Sequence, residues 1–172
     1  MTLSDAHLKY FESKNFKLLP HQVKGINWLC DRECGYGNCG LLCDEPGLGK
    51  TIQIAGLMYL HQLDYTLILV PISLINQWVK ILEYIIPKCH IIIHHGNNKS
   101  KNISEFKHKI NGKQVIVIST LKLLINDYIL NSIKWNRIVI DEIHEIRNCK
   151  SKVFKAAANL KSESRFGLTG TP

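Results

Sequence analysis

Short apolar runs alternate with longer segments of helical period along most of this chain. The runs are rich in Ile, Val and Leu, which is typical of strands buried on both faces of a parallel sheet. Because each parallel crossover needs a covering helix, the alternation predicts an α/β fold with a mostly parallel central sheet and helices on both faces. The predicted strands cover residues 40–43, 66–70, 89–93, 114–118, 137–140 and 165–168, and the predicted helices cover 51–63, 74–85, 121–130 and 153–160. Ligands of such sheets bind at the carboxyl ends of the strands.

The size and charge of the chain narrow its class. A chain of 172 residues with 45% apolar side chains can bury the core of one domain. Lys and Arg exceed Asp and Glu by 22 − 14 = 8, which favours a polyanionic partner such as nucleic acid, although a solvated basic surface would look the same. No secretion signal and no apolar stretch of about 18 residues is present, so we expect no membrane span and a soluble, intracellular protein.

The cysteine spacing does not match the common zinc or redox motifs. No C-x-x-C pair occurs among the cysteines, which are Cys30, Cys34, Cys39, Cys43, Cys89 and Cys149. The first four lie close together and could in principle form a tetrahedral thiolate site. Cys43, however, falls inside a predicted apolar strand, where a free cysteine behaves as a small hydrophobic residue. We therefore expect reduced thiols and no structural zinc.

Residues 44–51 read DEPGLGKT and lie between a predicted strand and a predicted helix, as a phosphate-binding loop requires. Lys50 would reach the β- and γ-phosphates, and the Thr51 hydroxyl would ligate magnesium. The general pattern begins with glycine, whereas Asp44 stands first here, and a glycine-rich turn that caps a helix is the alternative. The residues of the loop predicted to bind nucleotide are Gly47, Leu48, Gly49, Lys50 and Thr51.

A second motif, IVIDEIH at residues 138–144, is an apolar strand that ends directly in two carboxylates. Asp141 would hold magnesium, and Glu142 would orient and deprotonate the attacking water. An acidic pair after a strand is often only a surface turn. Its combination with Lys50 and Thr51 predicts instead a site for ATP hydrolysis, with Lys50, Asp141 and Glu142 as its catalytic residues.

A series of further motifs follows a recognisable order along residues 18–172. They are Leu19-Pro20-His21-Gln22 with Gly25 and Trp28, the phosphate loop, Leu69-Val70-Pro71 with Gln77 and Trp78, His95-Gly96, Ser119-Thr120, Asp141-Glu142-Ile143-His144, and Leu168-Thr169-Gly170-Thr171-Pro172. Together they resemble the first RecA-like ATPase lobe of the Swi/Snf family of DNA-dependent translocases, within helicase superfamily 2. That family usually has Met where Pro46 stands and Ala where Ile143 stands, and Pro46 removes one backbone donor from the loop.

The resemblance implies roles for single residues. Gln22 would hydrogen-bond adenine, and Thr169 with Thr171 would relay the nucleotide state towards a second lobe. His144 would link the ATP site to the last motif. Positions that line the nucleic-acid track in the family match Pro71, Gln77, Trp78, Ser119 and Thr120 in this chain. The helical spacing of Trp78 among apolar residues also fits a place in the core.

The resemblance also implies a division of the chain, its cofactors and its partners. Residues 1–17 would be a lead-in and residues 18–172 the RecA-like lobe, with no second lobe in the sequence. ATP and Mg²⁺ would be the cofactors, and duplex DNA and a second RecA-like lobe, in cis or in trans, the partners. The location would be the nucleus, or a viral or host cytoplasm. Two alternatives stay open: a binding module for ATP or DNA without turnover, and an RNA helicase of the related DExH type.

Overall fold

The structure, a computed structural model, describes residues 2–35, 37–99, 102, 106 and 114–171. The strands are β1 (Cys39–Leu42), β2 (Tyr65–Leu69), β3 (Cys89–Ile93), β4 (Gln114–Ser119), β5 (Lys134–Ile140) and β6 (Lys161–Leu168). The α-helices are α1 (Asp5–Ser13), α2 (Pro20–Cys34), α3 (Lys50–Leu60), α4 (Ile75–Ile85), α5 (Tyr128–Ser132) and α6 (Lys152–Asn159). Short 3-10 turns occur at Ile72–Leu74, Gly96–Asn98, Leu121–Ile125 and Ile143–Ile146.

The strands form one sheet in the order β1-β6-β5-β2-β4-β3, and every neighbouring pair is parallel. Alternate residues of β2 point to opposite faces, so that Ile68 belongs to one apolar cluster and Leu67 and Leu69 to another. The first cluster takes in α1 to α4, and the second takes in α5 and α6. The predicted α/β class, with a parallel sheet covered by helices on both faces, is therefore confirmed.

Most of the predicted elements are present, but the predicted helix over residues 121–130 is wrong. A 3-10 turn, Leu121–Ile125, is followed there by the short helix α5. The two are separated because Asp127 caps α5, its Oδ1 accepting a hydrogen bond from the amide of Leu130 at 3.0 Å. A side chain that satisfies the first free amides of a helix starts a new helix at that point.

The first helix packs in the same apolar cluster as α2, α3 and α4. Phe11 of α1 is fully buried, and Tyr10 stacks on Tyr59 of α3 with ring centroids 4.3 Å apart. The Tyr10 hydroxyl also donates to the carbonyl of Ile85, at the end of α4, at 2.8 Å. A domain boundary at residue 18 stays a prediction, and the described lead-in residues contribute to the core.

A buried ion pair joins α2 to the sheet, at the end away from the carboxyl tips of the strands. Arg137 of β5 donates through Nε to Oε1 of Glu33 at 2.7 Å, and through a second nitrogen to the other carboxylate oxygen. Ser164 of β6 donates to Oε1 at 2.7 Å, and His61 lies 2.7 Å from Oε2. Burial alone would raise the pKa of Glu33, but the hydrogen bonds and the charge of Arg137 hold it below its ordinary value.

The cysteines differ in their surroundings. Cys43 is exposed and lies one residue beyond β1, so the prediction that it is an apolar strand residue is wrong, because β1 is an edge strand that ends before it. Cys30 is buried, and burial raises the pKa of its thiol to about 11. Among the described residues, no three His, Cys, Asp or Glu side chains lie close enough together to hold a metal ion. No helix in that part of the chain is long and apolar enough to cross a membrane.

Candidate functional site

The glycine-rich loop and the acidic motif meet in one cleft at the carboxyl ends of the strands. The loop after β1 leads into α3, and Asp141 and Glu142 follow directly on β5. The cleft has a volume of about 340 Å³, within the range of small-ligand sites. It is lined by Pro46, Gly47, Gly49, Lys50, Thr51, Ile52, Leu74, Gln77, Ile81, Asp141 and Glu142.

Two glycines give the loop its shape. Gly47 has φ 86° and Gly49 has φ 80°, a left-handed region that other residues enter only at a cost of about 1–2 kcal/mol. A side chain at position 49 would also place its Cβ 2.4 Å from Nε2 of Gln22. Gly49 is the N-cap of α3, an eleven-residue helix. The free amides and the dipole at that helix start favour an anion in the cleft.

Lys50 holds the loop together. Its Nζ donates to the carbonyl of Asp44 at 2.6 Å and to that of Glu45 at 3.2 Å. Asp44, which replaces the usual glycine, is tied to α3 because its Oδ2 accepts a hydrogen bond from Nε2 of the buried Gln53 at 2.7 Å. The departure from the general pattern therefore has a local structural role, which sequence spacing alone did not reveal.

Gln22 contacts the loop through its side-chain amide. Its Nε2 donates to the carbonyl of Leu48 at 3.1 Å, and its Oε1 accepts from the amide of Leu19 at 3.0 Å. These bonds bring the first turn of α2 onto the loop of residues 44–51, with Gln22 itself only 7% exposed. The predicted hydrogen bond to adenine stays a prediction, and the structure places the residue next to the cleft.

Asp141 is a buried carboxylate with a donor on each oxygen. It is 6% exposed, its Oδ2 accepts from Nε1 of Trp78 at 2.9 Å, and its Oδ1 accepts from the amide of Glu142 at 3.0 Å. Burial raises the pKa of Asp141, and these two hydrogen bonds oppose the rise. A nearby cation would stabilise the charged form further.

Glu142 has an unusual backbone conformation, with φ 51° and ψ 50°. For a residue with a side chain this costs on the order of 1–3 kcal/mol, and such residues occur preferentially at functional sites. The side chain stands at the rim of the cleft, with Oε2 3.2 Å from Nδ1 of His144. The left-handed turn thus directs the second acid of the motif away from β5 while Asp141 stays buried.

His144 connects this turn to the last motif. Its Nδ1 lies 3.3 Å from Oγ1 of Thr169, which also accepts from the amide of Thr171 at 3.1 Å. A Cβ on Gly170 would stand 2.8 Å from ring carbons of Pro46, so the last motif also packs against the loop of residues 44–51. The geometry agrees with the predicted link from the acidic motif to Thr169. Pro172, the last residue of that motif, lies outside the described residues.

A second cleft, of about 530 Å³, lies farther along the same edge of the sheet. Its lining residues are Val70, Pro71, Ile72, His95, Thr120, Leu121, Lys122 and Glu145. Of the positions matched to a nucleic-acid track, Pro71 and Thr120 line this cleft. Gln77 lines the first cleft instead, while Trp78 and Ser119 are buried. For Trp78 the structure thus agrees with the core placement that its helical spacing allowed.

A buried His-Asp pair that the sequence reasoning missed supports the second cleft. Nε2 of His94 lies 2.9 Å from Oδ2 of Asp127, and Nζ of Lys99 lies 3.0 Å from the same oxygen. Burial would raise the pKa of Asp127, but these contacts and the Leu130 amide keep it below its ordinary value. His95, which lines the cleft, directly follows His94, which this contact holds in place. The signal was hidden because the two partners are 33 residues apart.

Comparison with known proteins points to one family. The family profile described as the SNF2-related domain matches residues 21–172. "DNA excision repair protein ERCC-6-like" of Danio rerio is 30% identical over 182 residues, covering 100% of this chain and 12% of its own length. "ATP-dependent DNA helicase DDM1" of Arabidopsis thaliana is 34% identical over 165 residues, covering 91% of this chain and 22% of its own length.

Solved structures agree. The "Sulfolobus solfataricus SWI2/SNF2 ATPase core in complex with dsDNA" has a TM-score of 0.74 and 32% sequence identity, covering 91% of this chain and 32% of that one. The chain therefore spans less than a third of the length of each of these three proteins.

Proposed function

This chain belongs to the SNF2-related domain family, and from that premise we propose that it is the ATP-binding first lobe of a Swi/Snf-type motor. Such a motor couples ATP hydrolysis to movement on duplex DNA once a second RecA-like lobe completes the site. One observation carries the proposal: the phosphate loop with Lys50 and Thr51 faces Asp141 and Glu142 across a single cleft.

The cleft residues divide the binding of ATP between them. The amides at the start of α3 and the Lys50 ammonium bind the phosphates, and for this Lys50 exchanges its bonds to the carbonyls of Asp44 and Glu45 for phosphate oxygens. Gln22, already bonded to the Leu48 carbonyl, stands beside the loop and would read the adenine edge. Leu48 closes the turn between Gly47 and Gly49.

The donor set of the cleft fits Mg²⁺. The Thr51 hydroxyl and the Asp141 carboxylate line the same space, and oxygen donors are the ligands that Mg²⁺ prefers. The bound ion would neutralise charge on the phosphate oxygens. Glu142, at the rim of the cleft, orients the attacking water and takes its proton.

Duplex DNA is the proposed partner of the second cleft. The chain has a net charge of +8, and Lys122 and His95 line that cleft. Contacts from such side chains to the phosphate backbone are independent of base sequence and weaken with salt. The solved SWI2/SNF2 core in the comparison is described as a complex with dsDNA. An intracellular location, expected from the sequence, stays a prediction.

A second lobe is the other proposed partner, because the arginines that stabilise the transferring phosphoryl group come from it in this family. An arginine supplied in this way is worth about 10³–10⁵ in rate. The isolated chain should therefore bind ATP while turning it over slowly. A binding module without turnover is the alternative, and Pro46 favours it, since proline provides no backbone N–H to the phosphates.

The test measures ATP binding and phosphate release by the purified chain, with duplex DNA, with RNA, and without nucleic acid. Lys50→Ala serves as the blank, and Lys80→Ala, on the exposed side of α4, is the matched control. We expect Lys50→Ala to lose ATP binding with the fold intact and Lys80→Ala to keep it. Equal ATP affinity in wild type and Lys50→Ala would refute the site.

Phosphate release separates the two versions of the proposal. Release above the Lys50→Ala blank that rises with duplex DNA would assign turnover to this chain. Release equal to the blank, with ATP binding intact, would favour the binding module. Stimulation by RNA rather than DNA would favour the RNA-helicase alternative.

A further inference from the structure

The indole of Trp78 reaches from the middle of α4 to the acidic motif at the end of β5. The side chain is 1% exposed, and its Nε1 donates to Oδ2 of Asp141 at 2.9 Å. The two residues are 63 positions apart in sequence. An apolar side chain of similar volume would fill the same place in the core, so the N–H is the feature that the packing alone does not require.

From this contact we propose that Trp78 is a positioning residue that holds the Asp141 carboxylate in the orientation needed to bind Mg²⁺ with ATP. The inference rests on the proposed function, because it concerns the metal that this site would bind. Trp78 would act through Asp141, without touching the metal or the nucleotide.

The surroundings of the carboxylate support this role. One oxygen of Asp141 accepts from Trp78 and the other from the amide of Glu142, which leaves lone pairs on both for further partners. The Glu142 amide belongs to the next residue and moves with the backbone of Asp141. Among the described contacts, Trp78 is therefore the donor that comes from a different helix or strand. Because Asp141 is only 6% exposed, a hydrogen bond to its charged oxygen is strong and directional.

The indole itself is well fixed. Trp78 packs in the same cluster as Ile75 and Leu82 of its own helix and Ile54 of α3, all of them buried. A donor on a rigid, packed ring loses little freedom when it forms a bond, so it can fix the direction of the carboxylate. Partners of this kind, one step removed from a metal, typically change metal affinity about 10–100-fold when they are lost.

The other two tryptophans provide contrasts within the same chain. Nε1 of Trp135 donates to the backbone carbonyl of Leu130 at 3.1 Å and is equally buried, so its bond belongs to the second core cluster. Trp28 is 39% exposed. Trp135 therefore provides a matched control for the loss of one buried indole N–H.

The experiment compares Trp78→Phe with Trp135→Phe by calorimetric titration of ATP, first in EDTA and then over a series of Mg²⁺ concentrations. We expect Trp78→Phe to raise the Mg²⁺ concentration needed for half-saturation by about tenfold while the affinity for metal-free ATP stays unchanged. Trp135→Phe should leave both quantities unchanged. A Trp78→Phe titration that matches that of Trp135→Phe would overturn the inference.

A double-mutant cycle separates positioning from a general loss of packing. If Trp78 acts through the Asp141 carboxylate, then adding Trp78→Phe to Asp141→Asn should cause no further change in the Mg²⁺ dependence. An additional shift of the same size in the double mutant would mean that Trp78 acts independently of Asp141, and would also overturn the inference.

An NMR measurement on the unsubstituted chain covers the case in which Trp78→Phe fails to fold. The chain has three tryptophans, so Trp28→Phe and Trp135→Phe assign the Trp78 indole N–H resonance by elimination. We expect that resonance to shift on adding Mg²⁺ with ATP and in Asp141→Asn. A resonance that stays in place under both conditions would contradict the inference.

Failure of the inference can be told apart from failure of the proposed function. If Lys50→Ala and Asp141→Asn both bind ATP with Mg²⁺ as the wild type does, the nucleotide site itself is misplaced. If those two variants lose Mg²⁺-dependent binding while Trp78→Phe keeps it, the site stands and only the role of Trp78 is refuted.

Discussion

Replacing Glu33 by glutamine should destabilise the fold strongly, although the residue lies far from the proposed ATP site. Glu33 accepts hydrogen bonds from Arg137 and Ser164, and Arg137 is fully buried. Removing one partner of a buried ion pair costs about 3–5 kcal/mol, because the other charge is left uncompensated. Glutamine keeps one acceptor oxygen, so we expect the free energy of unfolding to fall by an amount near the lower end of this range, about 3 kcal/mol.

Urea unfolding followed by circular dichroism measures this loss. A domain of ordinary stability has a free energy of unfolding of about 5–15 kcal/mol. For a typical denaturant slope, the urea midpoint of the variant should therefore be lower by about 1–3 M. The matched control is Glu163→Gln, whose partner Lys134 lies at 2.9 Å with both side chains largely exposed. Such a surface pair contributes about 0–1 kcal/mol.

The dependence on pH gives a second check. The pKa of Glu33 is held below its ordinary value in the folded state. Its contribution to stability is therefore fully present above the unfolded pKa, about 4.3, and is lost as the pH falls through the folded value. The difference in stability between wild type and Glu33→Gln should narrow below about pH 4. Adding Arg137→Met to Glu33→Gln should restore part of the stability, because it removes the uncompensated charge.

The reasoning is refuted if Glu33→Gln costs no more than Glu163→Gln at pH 7. It is also refuted if the double variant is less stable than Glu33→Gln by the full cost of a second buried substitution, because the two residues would then contribute independently.

Three further predictions concern the two clefts. Gly49→Ala should lower the free energy of unfolding by about 1–2 kcal/mol and weaken ATP binding, because position 49 has a left-handed backbone and its Cβ would lie 2.4 Å from Gln22. An unchanged ATP affinity in calorimetry would count against this loop geometry. Asp127→Asn should lower the free energy of unfolding at pH 7 by a few kcal/mol, on the order of the cost of breaking its buried pair with His94. The difference in stability from wild type should shrink in acid, because the fold lowers the pKa of Asp127. Glu142→Gly should raise the melting temperature, because glycine relieves about 1 kcal/mol of backbone strain. Any phosphate release by the chain above the Lys50→Ala blank should be lost in this variant. An unchanged or lower melting temperature would mean that the turn is not strained.

The glycine-rich loop before α3 and the strand that ends in two acids could be predicted from the sequence because their signals are local. Each depends on residues within one turn or one strand, such as the glycines around Leu48 and the apolar run before Asp141. The structure brings these two motifs to one cleft because both lie at the carboxyl ends of parallel strands. The prediction of one helix over residues 121–130 failed because it also used a local signal. The apolar residues keep a helical period through this region, whereas Asp127 caps a new helix after the 3-10 turn.

The sequence by itself determined where the six strands lie, the parallel character of the sheet, and the position of the glycine-rich loop and of the two acids at strand ends, since these follow from periodicity and from residue types at short spacing. The predicted helices did not include α1 or α2. Only the tertiary structure decided which distant side chains meet: Trp78 with Asp141, 63 residues apart, and Glu33 with Arg137, 104 residues apart. It also decided that Cys43 is exposed beyond an edge strand. The physical reason is that contacts across a sheet depend on strand order and register, and no local pattern of hydrophobicity specifies which strand will lie beside which.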